Sequence, residues 1–388
     1  MQLPGLIITL AIVAGQLIKI PLGEGRGATV IDAAVIALCL FGLFQIKLHL
    51  TSPPIFIKQG LLFSLIALLS LIFTPLHLTT NQYLSSFFYT LRFSSYILLG
   101  WLLLSNAFPF LKQNINQILI FSGLALAVLG LLQFIFLPDL RFLSVFGWDP
   151  HYYRSASTFL DPNFLGAYLV LTLLLIFRNL HSFKNFKGFF LPLIVYLALM
   201  TTFSRSSYGM FLIGFLTLSF FKKSTKLTFL TIIFFLALLL SFQIYIRAVN
   251  QITPLDRSQT ASFRFSTWQQ GFEIFLKNPV IGVGFNAYSF ALKEYIIADE
   301  QFLKGHGSTT NDSSMLHIAA TTGILGFGAY LLFLVSLCRA AWIKNPFFVA
   351  GIFGLLGHSI FVNSLFYPPI LIWIILTASN LYDEKSVN

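Results

Sequence analysis

The chain has 388 residues, of which 57% are hydrophobic and only 10% are charged, and its mean hydropathy is +0.83. A soluble domain carries about 25% charged residues, so this composition excludes water as the main solvent of the folded chain. The net charge of +11 does not indicate a nucleic acid partner, because the basic residues mark the ends of apolar segments. The lipid bilayer is the partner that the composition predicts.

Apolar stretches long enough to cross a bilayer recur along the whole sequence. A hydrocarbon core about 30 Å thick needs roughly 20 apolar residues per helix. The twelve predicted spans cover residues 3–21, 28–46, 57–77, 84–104, 115–137, 162–178, 188–203, 206–221, 227–246, 313–337, 346–362 and 366–382. The first span lacks a basic leader and a convincing cleavage site, so we predict a retained helix. The sequence therefore predicts an all-α polytopic membrane fold, with residues 1–388 as a single domain.

Successive spans place the connecting segments on alternate sides of the membrane, and the charged residues are unevenly divided between the two sides. One side collects most of the lysines and arginines of the connecting segments, accompanied there by only Asp383 and Glu384. Basic residues accumulate on the cytoplasmic side, so we expect both termini to be cytoplasmic. The two long connecting stretches, residues 138–161 and 247–312, then face outward, and we expect any chemistry on that side.

The larger outer loop, residues 247–312 between the ninth and tenth spans, contains a predicted amphipathic helix over Phe263–Lys277. Its aromatic residues recur at helical spacing, and Ser262 stands where an N-cap is expected. We expect this helix to lie along the membrane surface. After it, Gly282 and Gly284 allow a tight turn or the close approach of another chain segment.

Ionisable residues inside apolar spans need partners, because a charge at the bilayer centre costs about 2.5 kcal/mol or more. Arg92 lies near the middle of the fourth span and can pair with Asp32 if the second and fourth spans touch, so we predict a structural ion pair. His317 and His358 have no second ligand at H-x-x-x-H spacing, so we predict no metal site. No nucleotide or redox motif is present, so we predict no cofactor.

Several polar residues near the outer ends of the spans have two interpretations from their chemistry alone. Arg205 stands among three serines and binds either a phosphate or the lipid headgroups. Arg264 precedes Trp268 by one helical turn and either anchors the outer helix or binds an anionic lipid phosphate. His306 and Asp312 bracket a polar run before the tenth span, which is either a solvated loop with an N-cap or a reactive cluster.

Four blocks in a fixed order resemble the bacterial O-antigen ligase and O-antigen polymerase family. The blocks read RSASTFLDPNFLG, TFSRSS, RFSTW followed by NPVIGVG, and DSSML followed by GILG. Each block is short, but four of them in this order, with the large outer loop between the second and the fourth, make a chance match improbable. Their chemically distinctive residues are Arg154, Asn163, Arg205, Arg264, Trp268, Asp312 and Ser313.

The resemblance implies a C-type glycosyltransferase-like fold and a reaction on the outer face of the bacterial inner membrane. A glycan would pass from a polyprenyl-diphosphate carrier, of the undecaprenyl-diphosphate type, to an acceptor hydroxyl without a metal or a cofactor. Arg205 and Arg264 would stabilise the diphosphate leaving group, because guanidinium groups bind phosphates strongly. The implied substrate-binding residues are Arg154, Asn163, Trp268 and Ser313.

The fourth block departs from the family pattern. With GILG aligned, the family's histidine falls on Asp312 and its asparagine on Ser313. A carboxylate can still accept the proton of the acceptor hydroxyl, so Asp312 is our first candidate base and His306 our second. Because the histidine is absent, we expect polymerisation or general glycan transfer instead of specific transfer to lipid A core. A glycan, a lipid or a protein remains open as the acceptor.

Two other classes of function remain open. A lipid-linked oligosaccharide flippase also needs arginines for diphosphates, but it predicts charges along several spans and two pseudo-symmetric halves, which this sequence lacks. A non-catalytic scaffold of the cell envelope would retain the four blocks as remnants of an ancestral enzyme. Both classes predict that purified protein does not transfer glycan.

Overall fold

The computed structural model describes residues 3–23, 26–47, 49–179, 187–251, 257–298, 300–303 and 309–381. Within these ranges most residues are helical, and each of the twelve predicted spans overlaps a helix. Five of the described helices are long and apolar enough to cross a membrane, and further apolar helices of 10–17 residues accompany them. The helices therefore confirm a polytopic membrane protein, whereas the number of twelve crossings remains a prediction.

The elements are numbered in chain order. The helices of the first half are α1 (Leu3–Ala14), α2 (Val30–Gln45), α3 (Ile55–Ile72), α4 (Thr80–Leu104), α5 (Pro109–Gln113), α6 (Ile115–Phe136) and α7 (Pro162–Arg178). Those of the second half are α8 (Lys187–Thr201), α9 (Arg205–Lys222), α10 (Thr225–Asn250), α11 (Arg257–Lys277), α12 (Tyr288–Glu294), α13 (Glu300–Leu303), α14 (Ser314–Ala341), α15 (Pro346–His358) and α16 (Pro368–Asn380). Two strands, β1 (Lys19–Gly23) and β2 (Arg26–Thr29), form an antiparallel hairpin.

The chain divides into two compact units, each assembled from segments distant in sequence. The first unit comprises residues 1–18, 113–257 and 341–358, and the second comprises residues 19–112, 258–340 and 359–388. The first unit thus contains α1, α6 to α10 and α15. The second contains the hairpin, α2 to α4, α11 to α14 and α16. The single domain over residues 1–388 remains a prediction.

The first unit is built around α7. Every residue from Leu165 to Ile176 is buried, so this helix is apolar on all sides and covered by its neighbours α6, α8, α9 and α15. It begins where the Asp161 carboxylate accepts the Asn163 N–H at 2.6 Å, with Pro162 in the first turn, where its missing N–H costs nothing. This cap fixes the place at which the first sequence block enters its helix.

The second unit buries the predicted ion pair. The Arg92 Nη2 atom donates to Asp32 Oδ2 at 2.7 Å, and the Tyr96 hydroxyl donates to Asp32 Oδ1 at 3.1 Å. Both charged residues are buried, and α2 and α4, which carry them, pack together. The prediction that Arg92 and Asp32 pair is confirmed. Since a single buried charge would be costly, the pair holds these two helices in one arrangement.

The first predicted span was too long, and the all-α description misses the hairpin. Helix α1 ends at Ala14, and Gly15 follows it with a φ of +56°, in the left-handed region. Pro21 cannot donate a helical hydrogen bond, and residues 19–23 pair with residues 26–29 as β1 and β2. The second span consequently begins at Val30, where Thr29 and Asp32 form a capping box.

The outer helix begins earlier than predicted. It runs from Arg257 to Lys277, so Ser262 lies inside it and the prediction that Ser262 is an N-cap was wrong. Residues 257–261, which precede Ser262 in this helix, contain no proline or glycine, so nothing in them interrupts a helix. Phe265 and Phe272 are 61% and 53% exposed, an apolar face that suits contact with lipid. Its position along the membrane surface remains a prediction.

Candidate active site

The first unit brings the first two sequence blocks together at the turn between α8 and α9. The guanidinium of Arg154 donates from Nε to the Thr202 carbonyl at 2.9 Å and from Nη2 to the Phe203 carbonyl at 3.4 Å. Phe203 has a φ of +47°, which reverses the chain before α9 begins at Arg205. Arg154 therefore holds in place the turn that presents Arg205.

Arg205 is the first residue of α9 and is exposed. Its guanidinium carbon lies 5.9 Å from the centre of the Phe242 ring on α10. The N-terminus of a helix carries partial positive charge and free N–H groups, so both the side chain and the helix favour an anion at this position. This arrangement suits a phosphate ligand better than a neutral one.

Asn163 and Ser204 complete this group, which we call the Arg205 cluster (Arg154, Asn163, Ser204 and Arg205). The Ser204 hydroxyl donates to Asn163 Oδ1 at 2.8 Å, and the Ser207 hydroxyl lies 3.0 Å from the Asn163 carbonyl. Gly166 permits this contact, because a Cβ there would lie 2.4 Å from Ser207 Oγ. The glycine of the first block thus allows α7 and α9 to approach each other.

An apolar cavity of about 360 Å³ lies beside the Arg205 cluster. Thr201 and Phe203, from the turn that Arg154 holds, line it, and so does Tyr153, the neighbour of Arg154 in the chain. The Phe203 ring stacks on Tyr245 at a centroid distance of 4.1 Å. The other lining residues are Phe134, Met200, Ser241, Ile244, Ala248 and Val249. This cavity suits an apolar chain attached to an anionic group.

His151 is a residue that the sequence interpretation missed. Its side chain is 7% exposed, and its Nε2 atom has no hydrogen-bond partner within the described ranges. Burial and, to a smaller extent, the nearby charge of Arg154 together lower the pKa of His151 to about 3. The imidazole therefore remains neutral at physiological pH. Only its position three residues before Arg154, in a stretch predicted to face outward, could have drawn attention to it.

The second unit holds Asp312 in a separate group, the Asp312 cluster (Thr267, Tyr288, Asn311 and Asp312). Asn311 is buried and donates from Nδ2 to the Tyr288 hydroxyl at 2.9 Å and to the Thr267 carbonyl. Burial raises the pKa of Tyr288, so its hydroxyl keeps its proton. The Thr267 hydroxyl lies 3.3 Å from Asp312 Oδ2. The half-buried carboxylate is thereby held next to α11.

Ser313 starts helix α14. Its hydroxyl accepts the Leu316 N–H at 3.4 Å and its carbonyl accepts the His317 N–H at 2.8 Å, which is the geometry of an N-cap. The Asn311 side chain accepts the Ser313 N–H at 2.9 Å. The cap of α14 is therefore Ser313, and the choice between a capped loop and a reactive cluster at Asp312 stays open. A substrate-binding role for Ser313 remains a prediction.

The other predicted residues of the second unit are less closely grouped. Arg264 is half-buried on α11, and its carbonyl accepts the Thr267 hydroxyl at 2.8 Å. Trp268 packs against Phe361 at a centroid distance of 5.7 Å, which is an architectural contact. His306 lies outside the described residues. Within the described ranges no group of three or more His, Cys, Asp or Glu side chains can hold a metal ion.

Main-chain hydrogen bonds join the third sequence block to the fourth. Helix α14 is broken at Gly323, where φ is +63° and ψ is −168°, and the turn after α11 fits into this break. Four main-chain hydrogen bonds of 2.8 to 3.4 Å join the segments 279–284 and 320–325. A Cβ at Gly323 would lie 2.2 Å from the Val280 carbonyl oxygen, and one at Gly282 2.4 Å from the Thr321 carbon. The predicted close approach at Gly282 is confirmed.

Comparison with known proteins agrees with the motif analysis. A search among curated proteins found no match. A family model described as O-antigen ligase matches residues 188–331, a range that includes the second, third and fourth blocks. The predicted resemblance to the O-antigen ligase and polymerase family is therefore confirmed over residues 188–331, and the first block lies outside the matched range.

Proposed function

We propose that this protein is a glycan transferase or polymerase that moves a saccharide from a polyprenyl-diphosphate carrier to an acceptor hydroxyl on the outer membrane face. Its product would be O-antigen or another cell-surface polysaccharide. The observation that carries the proposal is the apolar cavity beside Arg154 and Arg205 in the first unit. The family match over residues 188–331 supports the class of reaction.

The two halves of such a donor differ in what they need from a protein. A polyprenyl chain gains free energy when it leaves water, and the cavity offers it aromatic and aliphatic walls. A diphosphate needs concentrated positive charge and N–H donors, which Arg205 and the N-terminus of α9 provide. Arg154 has two of its guanidinium nitrogens bound to the turn, so its part in donor binding is chiefly to hold Arg205 in place.

The chemical step follows from the charges that develop. The acceptor oxygen attacks the anomeric carbon, the bond from that carbon to the diphosphate oxygen breaks, and the released diphosphate keeps the electron pair. It is the resemblance to the family that assigns the stabilisation of this charge to Arg205 and Arg264. Asp312 accepts the proton of the acceptor hydroxyl, because a carboxylate can act as a base. The hydrogen bonds of Asn311 to Tyr288 and to the Ser313 N–H fix the chain on both sides of this residue.

The test is glycan transfer by the purified protein in liposomes that contain a polyprenyl-diphosphate-linked glycan. Two quantities are measured: the size of the glycan product and the amount of polyprenyl diphosphate released. We expect Arg205→Ala to weaken donor binding and Asp312→Asn to lower kcat about 10²- to 10⁴-fold with donor binding retained. Arg141→Ala is the control, because Arg141 is an exposed arginine paired with Asp139 at 2.6 Å. His306→Ala tests the second candidate base.

Two outcomes would contradict the proposal. A wild type that carries the donor across the bilayer without releasing diphosphate would be a flippase. A wild type that neither binds nor transfers a donor prepared with its natural glycan would favour the scaffold. If Asp312→Asn retains full kcat while His306→Ala loses it, the base has been assigned to the wrong residue.

A further inference from the structure

The apolar cavity of the first unit has walls that neighbouring residues fix in place. The Phe203 and Tyr245 rings lie 4.1 Å apart and 9° from parallel. The Tyr245 hydroxyl donates to the Tyr152 carbonyl at 2.9 Å, and the Thr201 carbonyl accepts the Ser155 N–H at 2.9 Å. The volume of about 360 Å³ is therefore that of a preformed site, and it limits what can enter.

Three hydroxyl groups in the wall already donate their protons within the protein. Thr201 Oγ1 donates to the Ala198 carbonyl at 3.0 Å, and Ser241 Oγ donates to the Leu238 carbonyl at 2.7 Å. The third is the Tyr245 hydroxyl described above. A saccharide would lose its hydrogen bonds to water on entering this space, and these groups have no proton left to replace them. The cavity therefore suits hydrocarbon better than the sugar of a donor or an acceptor.

A series of ring contacts connects the cavity to Arg205. The Arg205 guanidinium carbon lies 5.9 Å from the centre of the Phe242 ring, which in turn lies 6.5 Å from the Tyr245 ring in the cavity wall. Phe203, also in the wall, precedes Arg205 by two residues. A lipid whose diphosphate lies at Arg205 thus places in the cavity the carbons that are nearest to the diphosphate.

The cavity volume determines how many carbons these are. An engineered apolar cavity of about 150 Å³ holds one benzene molecule, so about 360 Å³ holds roughly 14 carbons, or about three isoprene units. We propose that the protein recognises its carrier lipid by about the first three isoprene units after the diphosphate. The rest of the polyprenyl chain then lies outside the cavity and adds nothing to recognition. This inference rests on the proposed function and names the part of the carrier that the site recognises.

The experiment measures dissociation constants of prenyl diphosphates with one to five isoprene units for the full-length protein in detergent. Ala248 lines the cavity and is exposed, so a larger side chain there displaces no buried residue. Ala248→Phe places a phenyl ring in the space and leaves room for roughly one and a half units. Partition of each ligand into micelles is common to all variants, so the ratio of the variant's dissociation constant to that of the wild type reports on the cavity alone.

We expect this ratio to be about 1 for one isoprene unit and at least about 10 for three units, because only carbons inside the cavity gain from its walls. It should not increase further for four and five units. Leu236→Phe is the control, because Leu236 is an exposed residue of the same helix that does not line the cavity. Its ratio should stay near 1 at every chain length.

A second measurement needs no variant. A photoreactive diazirine on the second isoprene unit of a five-unit prenyl diphosphate should label residues 200–203 of the wild type, which contribute to the cavity wall. A diazirine on the fifth unit should label detergent instead.

A ratio that keeps rising to five units would overturn the inference, and so would labelling of residues 200–203 from the fifth unit. Stronger labelling by a phospholipid with the diazirine in its acyl chain would mean that the cavity holds membrane lipid. A ratio near 1 at three units would also refute the inference, but the proposed function would survive because the diphosphate still binds. If the wild type binds no prenyl diphosphate of any length, the proposed function itself fails.

Discussion

Replacement of Gly323 by alanine tests how the third and fourth blocks are joined. At φ +63° and ψ −168°, this residue occupies a region that is essentially restricted to glycine, so alanine there costs about 1–3 kcal/mol in backbone strain. Its Cβ would also lie 2.2 Å from the Val280 carbonyl oxygen, which cannot move without loosening the backbone pairing. Loss of two or more of those hydrogen bonds adds about 1–3 kcal/mol.

We therefore expect Gly323→Ala to lower the free energy of unfolding by about 2–6 kcal/mol. The measurement is thermal unfolding of the purified protein in detergent, with Gly328→Ala on the same helix as the control. Nothing lies within 4 Å of a Cβ at Gly328, so alanine there should leave the melting temperature unchanged or raise it. If both variants melt alike, the broken helix is not held by the turn after α11.

Three further substitutions test other parts of the molecule. Gly166→Ala should disrupt the contact of α7 with α9 and reduce glycan transfer at least tenfold, whereas Gly209→Ala, which has open space around it, should retain transfer. The pKa of His151 is about 3 in the folded protein and near 6.5 in the unfolded chain, so the free energy of unfolding should fall as the pH drops below 6.5, by about 2 kcal/mol at pH 5. His151→Gln should remove this dependence when thermal unfolding is measured across pH. Asp32→Asn leaves a buried guanidinium unpaired and should cost about 3–5 kcal/mol in the same unfolding assay, against less than about 1 kcal/mol for the exposed Asp139→Asn. A flat pH profile for the wild type, or equal losses for the two asparagine variants, would refute the corresponding argument.

The helices were predictable because a helix that crosses the bilayer needs about 20 mostly apolar residues, and such long apolar stretches rarely have another cause. The same constraint identified the pairing of Arg92 with Asp32, since a buried charge must find a partner. The bilayer constraint did not reveal where α1 ends, because residues 19–23 and 26–29 pair as strands, and apolar periodicity does not report strand pairing. Errors at helix ends therefore arose where local turns and pairing outweigh hydropathy.

The contacts of the candidate site were harder to predict than its residues. The glycines of the third block indicated a close approach, but not that the partner would be the break at Gly323. Asn163 and Ser204 lie 41 positions apart, and their bond depends on α7 and α9 being neighbours. Asn311 was missed because an asparagine beside a predicted helix start is common, and only its burial against Thr267 and Tyr288 distinguishes it.

The two departures of the fourth block from the family pattern, at Asp312 and Ser313, differ in their consequences for structure and chemistry. The family's asparagine and Ser313 are both strong N-cap residues, and here Ser313 accepts the Leu316 N–H, so that substitution preserves the start of α14. The change at Asp312 replaces an imidazole with a carboxylate and alters the chemistry, while Asn311 keeps the neighbouring chain buried and fixed. The helix start is intact and the change is confined to a proton-accepting group, so the block fits the proposed role of Asp312 as the base. A scaffold derived from an inactive enzyme would not need to retain either the cap or an ionisable group at this position.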